Sequence, residues 1–153
     1  MLLAYRLPRV PSTPRSTVWR KLKRLGVAQL ADGLVALPAD ARTREALEWI
    51  ADEVVDNGGE AMLWIGQPAE QAGRAAVVAK MTAAVATDYA AVTDEATATR
   101  DADPATRRRV VARLRRELHR IGGRDFFALS ERETAQRAVE GLSDLAQQET
   151  TQA

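Results

Sequence analysis

The sequence predicts an α+β fold, with a small sheet-and-helix unit first and helix alone after it. Three observations predict this. Four short apolar runs fall at residues 2–7, 27–30, 34–37 and 61–65. The first and last pairs of runs are each separated by a segment with apolar residues at helical spacing, and the middle pair only by Ala31-Asp32-Gly33. From about Gly73 onward the strand-like runs stop and only the helical period remains.

Taken in order, residues 2–7 read as a buried strand that ends at Pro8, which cannot donate to a ladder. Pro11-Ser12-Thr13-Pro14 predicts a helix start, with a hydroxyl at the cap and proline in the first turn. Val18, Leu22 and Leu25 then share one face, with Arg20, Lys23 and Arg24 opposite. Gly26 suits a left-handed C-cap. Asp32-Gly33 between two apolar runs predicts a hairpin, and Pro38 stops its second strand. Asp40 caps a second helix whose buried face is Leu47, Ile50 and Val54, and Asn57-Gly58-Gly59 ends it. Residues 61–65 supply the fourth strand, closed by Gly66 and Pro68. The order βαββαβ is the ferredoxin-like arrangement, one antiparallel sheet with two helices on one face, placed at residues 1–68.

Residues 69–147 are expected to form a helical region packed on that unit. Val78, Met81, Val85, Tyr89 and Val92 line one face of a long alanine-rich helix, a stripe that also suits a helix–helix seam between two copies. Asp103-Pro104 starts the next helix, with Val110, Val111, Leu114, Leu118 and Ile121 apolar, and Gly122-Gly123 breaks it. Ser130 and Glu133 match a capping box before Val139, Leu142 and Leu145. Residues 148–153 are expected to be a disordered tail.

The chain has no cysteine, which excludes disulfides and thiolate metal sites and suits a cytoplasmic setting. The N-terminal apolar run is too short for a signal peptide, and no stretch reads as the roughly 18 apolar residues of a membrane span. The net charge is only +1, yet the charges are segregated. Arg6, Arg9, Arg15, Arg20, Lys21, Lys23 and Arg24 precede the first acid, Asp32. A second block runs from Arg107 to Arg124 with Glu117 as its one acid. Such asymmetry points to an anionic partner, DNA or a compact oxyanion such as sulfate or chromate, or else to opposite blocks neutralising each other in the fold or across a dimer. The candidate contact residues are Arg20, Lys23 and Arg24 on the first helix and Arg109, Arg113, Arg116 and Arg120 on the later one.

Catalytic machinery is not visible. His119 is the single histidine, no Gly-x-Ser-x-Gly turn presents a serine, and no glycine-rich phosphate loop occurs. Asp52-Glu53 and Asp94-Glu95 are neighbours that point apart on a helix. No enzyme activity, metal or cofactor is expected. Trp19, Trp49 and Trp64 are read as core packing between sheet and helices, and Phe126-Phe127 as a plug of the helical region into the core.

Several of these segments together resemble the chromate-resistance regulator (ChrB) family. They are Leu3-Ala4-Tyr5-Arg6-Leu7-Pro8, Pro11-Ser12, Val18-Trp19-Arg20-Lys21-Leu22-Lys23-Arg24-Leu25-Gly26, Asp32-Gly33-Leu34-Val35-Ala36-Leu37-Pro38, Glu48-Trp49-Ile50-Ala51, Gly58-Gly59-Glu60-Ala61, Asp88-Tyr89 and Ile121-Gly122-Gly123-Arg124-Asp125-Phe126-Phe127. The resemblance implies the N-terminal domain of a chromate-responsive transcription regulator. Members carry a second, C-terminal domain, so the chain is expected to act as an N-terminal module alone or with a separately encoded partner. The first unit also looks like small CRISPR-associated nucleases, which hold a metal with an aspartate at the end of the first strand. Tyr5-Arg6 stand there instead, which argues against a nuclease. The expectation is therefore a regulator that binds DNA or an oxyanion and forms a homodimer through sheet edges or the helical seam. An interaction module is the first alternative, and a cofactor-free or metal-dependent enzyme the second.

Overall fold

The computed structural model describes residues 1–151. Its elements are β1 (Leu2–Arg6), α1 (Thr13–Leu25), β2 (Ala28–Ala31), β3 (Leu34–Ala36), α2 (Ala41–Asp56), β4 (Glu60–Trp64), α3 (Gln71–Ala98), α4 (Pro104–Gly122) and α5 (Ser130–Thr151). Two compact units result, Met1–Met81 and Thr82–Ala153, and the division falls within α3. Of the expected tail at 148–153, α5 extends through Thr151, and 152–153 lie outside the described residues.

In the first unit the strands lie in the order β2-β3-β1-β4, every neighbouring pair antiparallel, which is the ferredoxin-like order. Register sorts the side chains. Leu3 is opposite Val35 and Leu63, so these three share a face. Leu3 and Val35 are buried there with Val18 and Leu22 of α1 and Leu47, Ile50 and Val54 of α2. Leu2 is opposite Ala36 and Trp64, and Ala4 is opposite Leu34 and Met62, so the other face carries this second set.

Local chemistry fixes the ends of these elements. Gly26 closes α1 at φ 79°. Asp40 Oδ1 accepts from Thr43 N at 2.8 Å, while Thr43 Oγ1 accepts from Asp40 N at 3.1 Å and donates to Pro38 O at 2.6 Å. These bonds occupy N–H groups that an α-helix start leaves unpaired. Ser12 stands at the α1 cap position but in helical geometry, and its side chain makes no cap bond.

In the second unit one apolar cluster joins Val85, Tyr89, Val92 and Ala96 of α3 with Val111, Leu114 and Ile121 of α4 and Ala135, Val139 and Leu142 of α5. The expected seam between copies is thereby corrected, since Val85, Tyr89 and Val92 are already covered inside the chain. The Tyr89 hydroxyl donates to Asp125 Oδ2 at 3.2 Å. Asp125 also accepts from the backbone N–H of Phe127 and Leu129, so one carboxylate shapes the turn into α5. The Ser130 hydroxyl of the expected capping box donates to Glu131 Oε2 at 3.1 Å.

Two further expectations are corrected. Trp49 and Trp64 do not pack the core: they are 69% and 55% exposed. Trp49 lies on the outer side of α2, whose inner side is taken by Leu47, Ile50 and Val54, and the register puts Trp64 on the sheet face opposite Leu3. Phe127 is likewise exposed rather than a plug. By length and composition alone α3 is apolar enough to cross a membrane, contrary to the expectation that no stretch is. Alanine supplies much of that hydropathy, and its residues Val85, Tyr89, Val92 and Ala96 belong to a three-helix core.

Candidate anion-binding surfaces

Helix α1 presents three sides. Val18 and Leu22 face the core, and Lys21 Nζ reaches Glu53 of α2 at 2.5 Å. Arg20, Lys23 and Arg24 are exposed, and α1 itself contains no acidic residue. Arg20 lies back along the helix, donating to Ser16 O and Thr17 Oγ1, and Lys23 Nζ stands 5.8 Å from the centre of the Trp19 ring. The structure thus brings the three predicted α1 residues onto one accessible cationic side.

A groove of about 800 Å³ opens beside it. Its walls are the end of β1 and the following loop (Tyr5, Arg6, Leu7, Arg9), the first half of α1 (Ser12, Arg15, Ser16, Trp19) and the β2–β3 hairpin (Gln29, Asp32, Gly33). The hairpin is held there by backbone contact, because Tyr5 N donates to Gly33 O at 2.7 Å. Gly33 has φ +70°, and a Cβ at that position would lie 2.2 Å from Tyr5 O, so only glycine fits. Burial raises the pKa of the Tyr5 hydroxyl, and Asp32 adds to the rise while Arg15 opposes it. Both charges therefore act on the phenol, which stays protonated as a donor at neutral pH. Arg6 is tied to Glu60 at 3.3 Å. Arg6, Arg9 and Arg15 belong to the basic N-terminal stretch but are not among the contact residues expected from the sequence, and neither are Tyr5, Ser12, Trp19 and Asp32. The signal available was the acid-free stretch around Pro8 and Pro11; the hairpin wall is a tertiary feature.

On α4 the predicted residues are exposed but partly neutralised. Arg113 pairs with Glu95 of α3, and Arg120 pairs with Glu117 one turn before it. The bond from Arg120 holds Glu117 below its ordinary carboxylate range and raises Arg120. Arg109 and Arg116 are exposed beside them. Arg107, of the same basic block, is buried. His119 lines a separate hollow of about 300 Å³ with Arg115 and Arg132. Among the described residues no three histidine or carboxylate side chains gather to hold a metal.

A family model described as Protein ChrB, N-terminal, matches residues 15–103, more than half of the chain. The matched stretch runs from the first turn of α1 past the end of α3 and stops before α4. No curated protein and no solved structure matches.

Proposed function

The chain belongs to the ChrB N-terminal family, which associates it with chromate resistance, and from that membership we propose that it is a cytoplasmic regulatory protein that holds nucleic-acid phosphates through the cationic side of α1. The single observation that carries this reading is the exposure of Arg15, Arg20, Lys23 and Arg24 on a helix with no carboxylate of its own. Contacts of this kind release condensed counterions and bind duplex without strong sequence preference. In the second unit, Arg109 and Arg116 of α4 offer a cationic surface of the same kind, and Arg113 and Arg120 contribute less to it because each already has an acidic partner. We assign the protein no catalytic step.

The test is a fluorescence-anisotropy titration of promoter and unrelated duplex from low to moderate salt. Affinity should fall with salt at a log–log slope near −0.9 per phosphate contact, and replacing Arg20, Lys23 and Arg24 by Gln should flatten it by roughly two to three units. Absence of binding at low salt to either duplex would retire the reading. Chromate lowers DNA affinity only if it binds the DNA-free protein more tightly, so sulfate serves as its control.

A second reading, a module that docks a separately encoded C-terminal domain, is favoured by Met62 and Trp64, exposed together on the sheet face away from the helices. A stable complex with such a domain that persists without DNA would place it first.

A further inference from the structure

We propose that the groove between β1, the head of α1 and the β2–β3 hairpin is a site for a nucleoside phosphate, with the phosphate on Arg9 and Arg15, the base against Trp19 and a sugar or base donor on Asp32. Size is the first argument. About 800 Å³ lies within the range of sites for small organic ligands, and a lone tetrahedral oxyanion would fill only a small part of it.

The lining is the second argument. Two arginines supply forked donors that match phosphate oxygens. The Ser12 hydroxyl, which makes no cap bond to its own helix, adds a neutral donor at the same end. Trp19 supplies a flat apolar surface, and Lys23 over its ring brings one more positive charge close to a stacked base. Asp32 on the hairpin wall decides between ligand classes. A carboxylate repels a bare dianion but accepts from ribose hydroxyls or an exocyclic amine. A groove with arginines on its β1-loop and α1 walls, an indole on the α1 wall and a carboxylate on the hairpin wall therefore selects a ligand that carries an anionic group, an aromatic surface and a hydrogen-bond donor.

The same chemistry is presented by a free mononucleotide and by a nucleotide within a single strand. Arg15 and Lys23 are shared with the duplex reading, whereas Arg20 and Arg24 lie outside the groove lining, so Arg20→Gln with Arg24→Gln tests the duplex reading separately. The experiment is calorimetric titration of the full chain at low salt with AMP, with a short oligodeoxythymidylate and with inorganic phosphate. AMP or the oligonucleotide should bind saturably and about tenfold tighter than phosphate. Arg15→Gln should weaken nucleotide and phosphate alike by about tenfold. Trp19→Leu should weaken the nucleotide by about tenfold and leave phosphate unchanged, while Trp19→Phe retains most of the affinity. Asp32→Asn should weaken AMP without weakening phosphate. Arg15 and Asp32 are exposed, so these two variants decide the matter even if Trp19→Leu fails to fold by circular dichroism. Tight binding of AMP makes the free nucleotide the source, and binding of the oligonucleotide alone makes it a strand. Saturation by neither, phosphate binding as tightly as both, or indifference of the nucleotide to Arg15→Gln and Asp32→Asn overturns the proposal.

Discussion

Asp125 illustrates how much one side chain carries in the second unit. Its carboxylate receives the Tyr89 hydroxyl from α3 and two backbone N–H groups of the turn before α5, while the neighbouring Arg124 reaches Asp88 at 2.5 Å. Tyr89→Phe removes one of these bonds from a fully buried ring and should cost about 1 kcal/mol in urea unfolding. Asp125→Ala should cost more, because the turn loses its acceptor as well. The Tyr89 hydroxyl also carries a pH signature. Burial, then Asp125, raises its pKa, so the folded state keeps a proton that the unfolded state releases near pH 10. More protons bound in the folded state means that stability falls as pH rises through about 10. Thermal melts between neutral and alkaline pH should show a steeper loss in the natural chain than in Tyr89→Phe, and equal losses would remove Tyr89 from the account.

At the scale of elements, the β2–β3 hairpin joins fold to function. Gly33→Ala would place a methyl group against Tyr5 O and strain a left-handed residue. We expect a clear drop in melting temperature, together with weakened nucleotide binding in the groove it shapes. A normal melting temperature would show that the hairpin can move away from β1. Thr43 does comparable service at α2. Thr43 is buried and its hydroxyl bonds the part-buried Pro38 O, so Thr43→Val removes that donor and should cost about 1–3 kcal/mol by chemical denaturation. For α4 the salt slope of duplex binding should flatten by about one unit on Arg116→Gln and by less on Arg113→Gln, because Glu95 already partners Arg113. The capping residues Asp40 and Asp103 and the stop at Gly26 were legible in the sequence, since each acts on backbone groups within a few residues.

For the molecule as a whole, each unit closes its own core. Leu3, Val18, Leu22, Val35, Leu47, Ile50 and Val54 belong to the first, and the Tyr89–Leu114–Leu142 cluster to the second. A fragment of residues 1–81 should therefore melt cooperatively on its own, followed by circular dichroism, whereas a featureless melt would show that it depends on the remainder. Leu114→Ala in the full chain should cost about 2–5 kcal/mol, read by denaturant titration. With the α3 stripe buried, the expected homodimer rests on the sheet edges β2 and β4. Light scattering at high micromolar concentration should give twice the mass of the chain, and a monomer there would end that expectation.

The order βαββαβ, the cap and stop residues, the run of helices after the sheet and the cationic side of α1 are all legible in the unfolded chain. All of these depend on spacing within one element or on neighbours in the chain. Which basic residues share a space with Trp19 and Asp32 comes only from tertiary structure, because the hairpin wall is made of residues beyond α1 and is placed by the pairing of β3 with β1, extended by the bond from Tyr5 N to Gly33 O. Tertiary structure also decided that Trp49 and Trp64 face outward. Their apolar character is plain in the sequence, but helix phase and strand register give the inner positions to smaller aliphatic side chains.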